Sequence, residues 1–176
     1  LTKLIYFMLA NTDLQSFNKI GLSGLVLGKD RKKLSKYNEG IPLVRDIEEH
    51  PDNIRLGLLR QSFGKDFKYP DFSLEERLRR KLHNCLIFLE NYTKPGNIDI
   101  KEILQELEEG SKIICEDIIK LDFSTAYRKF RRLIFEDVSK RWIYKIRLGG
   151  ILKDDLERLK SKLTSISKIF FPKTLE

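Results

Sequence analysis

The sequence predicts an α+β protein, with a small N-terminal β-rich domain over residues 1–68 followed by a mainly α-helical bundle domain over 69–176. Three observations point there. The early chain carries short apolar runs broken by glycine, three long amphipathic segments fill Ser73 to Arg147, and a proline-bearing joint, Gly64 to Pro70, separates the two. At 176 residues and 41% hydrophobic, the chain is large enough to bury a real core.

Residues 1–10 are almost continuously apolar, and Ile5, Tyr6 and Phe7 favour a strand, although a helix over 3–10 fits the same run. Asn11-Thr-Asp13 supplies a turn. A second strand run, Phe17 to Leu27, is interrupted by Gly21 and Gly24, which mark a bulge or a close backbone approach. Arg31 to Gly40 reads as a polar loop. Ile41-Pro-Leu-Val44 then begins a short element with Pro42 suited to a first helical turn, and His50-Pro-Asp-Asn53 stops it. Ile54, Leu56, Leu58 and Leu59 alternate imperfectly and suggest a last strand.

The first long segment opens at Ser73-Leu-Glu-Glu76, which has the form of a capping box. Leu74, Leu78, Leu82, Cys85, Leu86 and Leu89 follow at helical spacing, with Ile87, Phe88 and Tyr92 widening the stripe until Lys94-Pro-Gly-Asn97 ends it. The second segment, Asp99 to Leu121, carries Ile100, Ile103, Leu104, Leu107, Ile114, Ile118 and Leu121 on one face, and holds seven acids to three bases. In the third, Phe123 to Arg147, the face is Phe123, Tyr127, Phe130, Ile134, Val138 and Trp142, and eight bases stand against two acids. Opposite charge favours packing these two side by side and antiparallel, while the apolar stripes do most of the holding. Leu148-Gly-Gly150 breaks the third segment. Ile151, Leu152, Leu156, Leu159, Leu163, Ile166 and Phe170 set a fourth helix, closed by Pro172.

Two cysteines thirty residues apart give neither a disulfide framework nor paired metal-ligand spacing, which suits a reducing compartment. No apolar run reaches the roughly 18 residues of a membrane span, and Leu1 to Ala10 lacks the charged start and cleavage site of a signal peptide. The expected location is cytoplasmic. Net charge is +8, divided as +3 over residues 1–72 (twelve bases, nine acids) and +5 over 73–176 (twenty-two bases, seventeen acids). A spread positive charge suits work near nucleic acid or against an acidic protein.

Catalytic raw material is thin. His83, Cys85 and Cys115 could offer three ligands, but no fourth stands at zinc-like spacing, so no metal, cofactor or catalytic residue is expected. Glu48-Glu49-His50 lacks the second histidine of a helical zinc-protease motif, and no phosphate-binding loop follows Gly21, Gly24 or Gly28. Two basic groups stand out: Arg77, Arg79, Arg80 and Lys81 on the first long helix, and Arg128, Lys129, Arg131 and Arg132 on the third, the latter interleaved with Tyr127 and Phe130. Such mixtures bind a nucleic-acid backbone and stack bases, and they equally form the outward side of an amphipathic helix. Arg128, Lys129, Arg131 and Arg132 are the candidate nucleic-acid contacts.

The order of parts, a small β domain, a Pro-Leu element, a short linker and a helical domain from Ser73, resembles the GINS family of replication proteins, in its archaeal type with the β (B) domain first and the helical (A) domain second. The matching stretches are Phe17 to Leu27, Ile41-Pro-Leu43, Leu86-Ile-Phe-Leu-Glu-Asn-Tyr92, Asp122-Phe-Ser to Phe135, and Leu152-Lys-Asp-Asp-Leu-Glu-Arg-Leu159. Val44, Arg45 and Asp46 depart from the aromatic or small residues usual after Pro-Leu. The resemblance implies a non-catalytic, nucleoid-associated subunit that joins a paralogue in a two-plus-two tetramer. It also implies binding of the Mcm helicase and a RecJ-like or Cdc-type partner, close to DNA. Phe88, Tyr92, Ile118, Phe123, Tyr127, Phe130 and Trp142 are the candidate subunit-interface residues, because the stripes are wide for a lone chain. The alternative is a helical nucleic-acid-binding accessory protein of primase or repair machinery.

Overall fold

The computed structural model describes residues 26–27, 31–33, 49–61, 66–68 and 71–175. Helix dominates them. In chain order the elements are β1 (Val26–Leu27), α1 (Pro51–Leu59), β2 (Phe67–Lys68), α2 (Ser73–Asn91), α3 (Lys101–Ile119), α4 (Phe123–Arg132), a π-helical stretch (Leu133–Trp142), α5 (Ile143–Gly149) and α6 (Lys153–Phe170). Among the described residues, sheet is confined to a two-residue parallel pair, Val26 beside Phe67 and Leu27 beside Lys68, with an antiparallel bridge from Leu27 to Lys33.

The expected α+β class is therefore corrected: among the described residues the fold is helical and holds no β-rich domain. The clearest reversal is Ile54 to Leu59, read as a strand and found inside α1. His50-Pro-Asp-Asn53, expected to stop an element, starts that helix. The His50 ring nitrogen Nδ1 accepts the Asp52 N–H at 3.2 Å, and Pro51 sits at the first helical position, where a missing N–H costs nothing. Turn-forming and helix-opening residues are the same types, and the buried face, Asn53, Leu56 and Gly57, has helical spacing that the leucines alone disguise. The runs 1–10 and 17–25 and the Ile41–Val44 element lie outside the described residues.

The long helices follow their stripes. In α2, Leu78, Leu82, Cys85 and Leu89 are buried. Ser73 is its first residue and not its cap; the Asp71 carboxylate takes the Ser73 N–H and hydroxyl, both at 3.0 Å, and Glu76 turns to Arg80. These hydrogen bonds hold the Asp71 carboxyl below its ordinary range. A tight turn with Leu121 at φ +62° reverses the chain after α3, and Asp122 caps α4 by accepting the Thr125 N–H at 3.1 Å. The expected antiparallel charge match appears in reversed order along the two segments: Asp117 with Lys129, Glu106 with Arg141, Glu102 with Lys145.

The third segment keeps its stripe by changing its winding. Phe130, Ile134, Val138, Trp142 and Ile146 recur every four residues, and all are buried. On an α-helix each such step overshoots a turn by about 40°, so the row would spiral off the core. A π turn holds more residues, so the same step falls short. Alternating the two windings keeps all five inward.

The bundle core lies among α2, α3, the α4-to-α5 rod and α6, with α1 packed on α2 and α4. Phe130 stacks on Phe170 at 4.2 Å and leans on Phe171. Two anchors fasten α1 to the end of α6. Arg55 donates to the Ile169 and Phe170 carbonyls, and the buried Asp52 carboxylate accepts from Thr174 N–H and Oγ1, each at 2.8 Å. At the other end of the bundle two connections touch backbone to backbone: a Cβ on Gly96 would lie 2.1 Å from the Gly149 carbonyl oxygen, and one on Gly150, at φ +69°, 2.3 Å from that of Pro95.

Candidate nucleic-acid interface

Where α4 runs into the π-helical stretch, its outer face meets the start of α2. A cleft of about 340 Å³ opens there, lined by Leu74 and Arg77 of α2, Arg128, Arg131 and Arg132 of α4, and Phe135 and Glu136 of the π stretch. Helical spacing explains the gathering. Positions 128, 131, 132 and 135 fall on one side of the rod, opposite the buried Tyr127, Phe130 and Ile134. The Arg131 guanidinium lies 5.8 Å from the centre of the Phe135 ring, so cation and aromatic face share the wall.

The cleft's charge is unbalanced. Arg77, Arg131 and Arg132 make no ion pair among the described residues, and Arg128 donates only to the Thr125 hydroxyl, at 2.9 Å. The one acid in the lining, Glu136, is held by Lys140 at 2.7 Å. Four arginines line this one small cavity, and a guanidinium offers forked donors to phosphate oxygens, the geometry that favours Arg over Lys for this task.

Beneath the cleft lies a buried polar cluster that locks its two walls. Glu75, fully buried in the first turn of α2, accepts from the Tyr127 hydroxyl at 3.0 Å and stands 3.3 Å from the Arg60 guanidinium. Its second oxygen, Oε2, has no hydrogen-bond partner. Burial, then the Glu75 charge, pushes the Tyr127 phenol well above its usual range, so it stays a donor.

Of the four expected nucleic-acid contacts, the structure brings Arg128, Arg131 and Arg132 together and turns Lys129 away to Asp117, at 2.6 Å. Arg77 joins the cleft across the helix boundary, a pairing that spacing within one helix could not disclose. Arg80 is held by Glu76. Phe135, also missed, carried a signal: it is the aromatic one turn beyond Arg131.

The expected interface residues fall in two groups. Tyr127, Phe130 and Trp142 are buried in this chain's own core, and the Trp142 indole donates to Glu106 at 3.0 Å. Phe88, Tyr92, Ile118 and Phe123 are half-buried. Phe88 lies under the Arg147 guanidinium, 4.9 Å from ring centre, and the Tyr92 hydroxyl donates to the Ile146 carbonyl at 2.6 Å. His83 is exposed, Cys85 buried with its thiol pushed up by that burial, and Cys115 half-buried. Among the described residues no three potential ligands cluster as a metal would need, and no helix is long and apolar enough to cross a membrane.

No protein-family model matches the chain. It is similar to a valine–tRNA ligase of Mycoplasmopsis synoviae (strain 53), 25% identical over 188 aligned positions that take in 99% of this chain. The chain spans 22% of that protein's length.

Proposed function

We propose that this chain is a helical RNA-binding module whose ligand class is transfer RNA, and that it holds RNA phosphates in the arginine cleft. The observation that carries the reading is the set of four arginines, Arg77, Arg128, Arg131 and Arg132, that line a cavity whose one acid already has a partner. Phosphate contacts position a nucleic acid and supply most of its salt-dependent affinity. The likeness to a fifth of a valine–tRNA ligase supports RNA over DNA. The ligase activity belongs to that whole protein, and the proposal assigns this chain binding.

The test is fluorescence anisotropy with labelled transfer RNA across a salt series. Binding is expected to weaken steeply with salt. Reversing Arg77, Arg131 and Arg132 to glutamate should reduce affinity roughly 100-fold or more, since hydrogen bonds to charged groups contribute about 1.5–3 kcal/mol each. An undetectable affinity at low salt, or a triple variant that binds like the parent, overturns the proposal.

A second reading, the non-catalytic assembly subunit of the GINS type, is favoured by one observation. Tyr144, Leu148 and Leu152, at the junction of α5 and α6, are 57–65% exposed, a stretch of apolar surface that a partner could cover.

A further inference from the structure

The arginine cleft does not end at Arg132. The same side chain lines a second groove, of about 430 Å³, on the far side of the rod between α3 and the π-helical stretch. The π stretch therefore gives a wall to both compartments: Phe135 and Glu136 to the first, Leu133, Asp137, Arg141 and Trp142 to the second. π-helical turns concentrate at functional sites.

The second groove differs from the first in chemistry. Most of its charges are matched within the chain, Arg141 with Glu106 and Asp137 and Lys129 with Asp117, which leaves Arg132 at its edge and Glu109 without an ion pair among the described residues. A phosphate gains little there. What it does present is apolar surface, with Ile113 46% exposed beside Leu133, and an exposed carboxylate, Glu109, whose Oε1 is touched only by the Gln105 amide at 2.9 Å. A flat, uncharged ring with an amino group on its edge fits that combination. The ring covers the apolar wall and the amino group donates to the carboxylate, as Glu and Asp accept from the amino group of cytosine elsewhere.

We infer that an unpaired RNA strand crosses the rod at Arg132, with its phosphates in the arginine cleft and one amino-bearing base in the groove between α3 and the π stretch. Both compartments lie towards the small end of ligand pockets, roughly 300–1,000 Å³, which suits a nucleotide and not a duplex. The inference rests on the RNA-binding reading and goes further, because it assigns a base preference that phosphate contacts cannot produce.

Cytidine and uridine differ at ring position 4, where one carries an amino group and the other a carbonyl. The experiment measures the affinity of the full chain for short single-stranded oligocytidylate and oligouridylate, for the parent and for Glu109→Ala. The parent is expected to prefer cytidine by about tenfold, the effect of one good base-edge contact. In Glu109→Ala the ratio should fall towards one, because the cytidine amino group loses its acceptor while the uridine carbonyl loses a repelling carboxylate; Glu109 is exposed, so circular dichroism should show an unaltered fold. Equal affinities in the parent, or a preference that survives Glu109→Ala, overturns the base assignment while the cleft reading stands. Failure of the parent to bind either strand while it still binds transfer RNA overturns the strand crossing alone, and failure to bind transfer RNA as well overturns both. An added complementary strand should weaken binding; tighter binding of the duplex also overturns the crossing.

Discussion

Glu75 is the residue on which the geometry of the cleft depends most. A buried carboxylate is costly unless its charge and lone pairs are met, and here one oxygen is met by Tyr127 and Arg60 while the other is not. Because Tyr127 neighbours Arg128 and Glu75 lies two residues before Arg77, the same hydrogen bond that satisfies the carboxylate also sets the distance between the cleft's walls. Tyr127→Phe removes the donor with little change in volume. It is expected to destabilise the protein by about 1–3 kcal/mol, the cost of an unsatisfied buried group, as read from denaturant unfolding; a loss under about 0.5 kcal/mol, the range of an ordinary surface change, would show that Arg60 alone suffices. None of this was visible in the sequence. Ser73-Leu-Glu-Glu76 suggested a cap made by Glu76; the buried stripe Leu78, Leu82, Cys85 and Leu89 extends back to Glu75 and not to Glu76, but the partners Arg60 and Tyr127 lie far off in the chain.

At the scale of elements, the amphipathic stripes of α2, α3 and α6 were readable because side-chain burial follows the helical period directly. Leu82, Leu107 and Leu163 are each essentially inaccessible, as their spacing required. The four-residue rhythm from Phe130 to Ile146 was equally visible, but the winding it demanded was not, since a row at that spacing was read as an ordinary α-helix. The rhythm gives an asymmetric expectation for substitutions in the π stretch. Trp142→Ala should cost about 3–5 kcal/mol as a buried large-to-small change, whereas Lys140→Ala, on the exposed side two residues before, should stay within about 0.5 kcal/mol. Chemical denaturation of the two variants checks it, and equal losses would mean that the rod does not keep its row inward. The strand expected at Ile54 to Leu59 failed for a related reason: three leucines and an isoleucine in six positions satisfy either period, and the helix-opening pair His50-Pro51 decided between them.

For the whole molecule, the question is how much of the surface awaits a partner. The wide stripes suggested more apolar area than one chain could bury. The chain in fact hides Tyr127, Phe130 and Trp142 by itself, helped by α1 and by Phe170 and Phe171 at the end of α6. Among the described residues, Ile119 at the end of α3 and the α5–α6 junction with Tyr144, Leu148 and Leu152 are the most exposed large apolar side chains. Native mass measurement separates the two functional readings at this scale. The RNA-binding reading expects the chain alone to be monomeric at micromolar concentration and to gain the mass of one RNA; a protein-only assembly that disperses on Leu148→Asp would instead favour the assembly subunit. The basic cleft was partly legible, since Arg128, Arg131 and Arg132 stood out as a cluster. Arg77 and the groove beyond Arg132 were not, because both are made by segments far apart in the chain.

The contact of Gly96 with Gly149 and Gly150 has a mechanical corollary. Two bends that meet through bare main chain leave no space through which either can slip, so the link between α2 and α3 and the link between α5 and α6 must part together or not at all. That end of the bundle behaves as a clasp of main chain, whereas the opposite end is fastened by side chains, Asp52 to Thr174 and Arg55 to the Ile169 and Phe170 carbonyls.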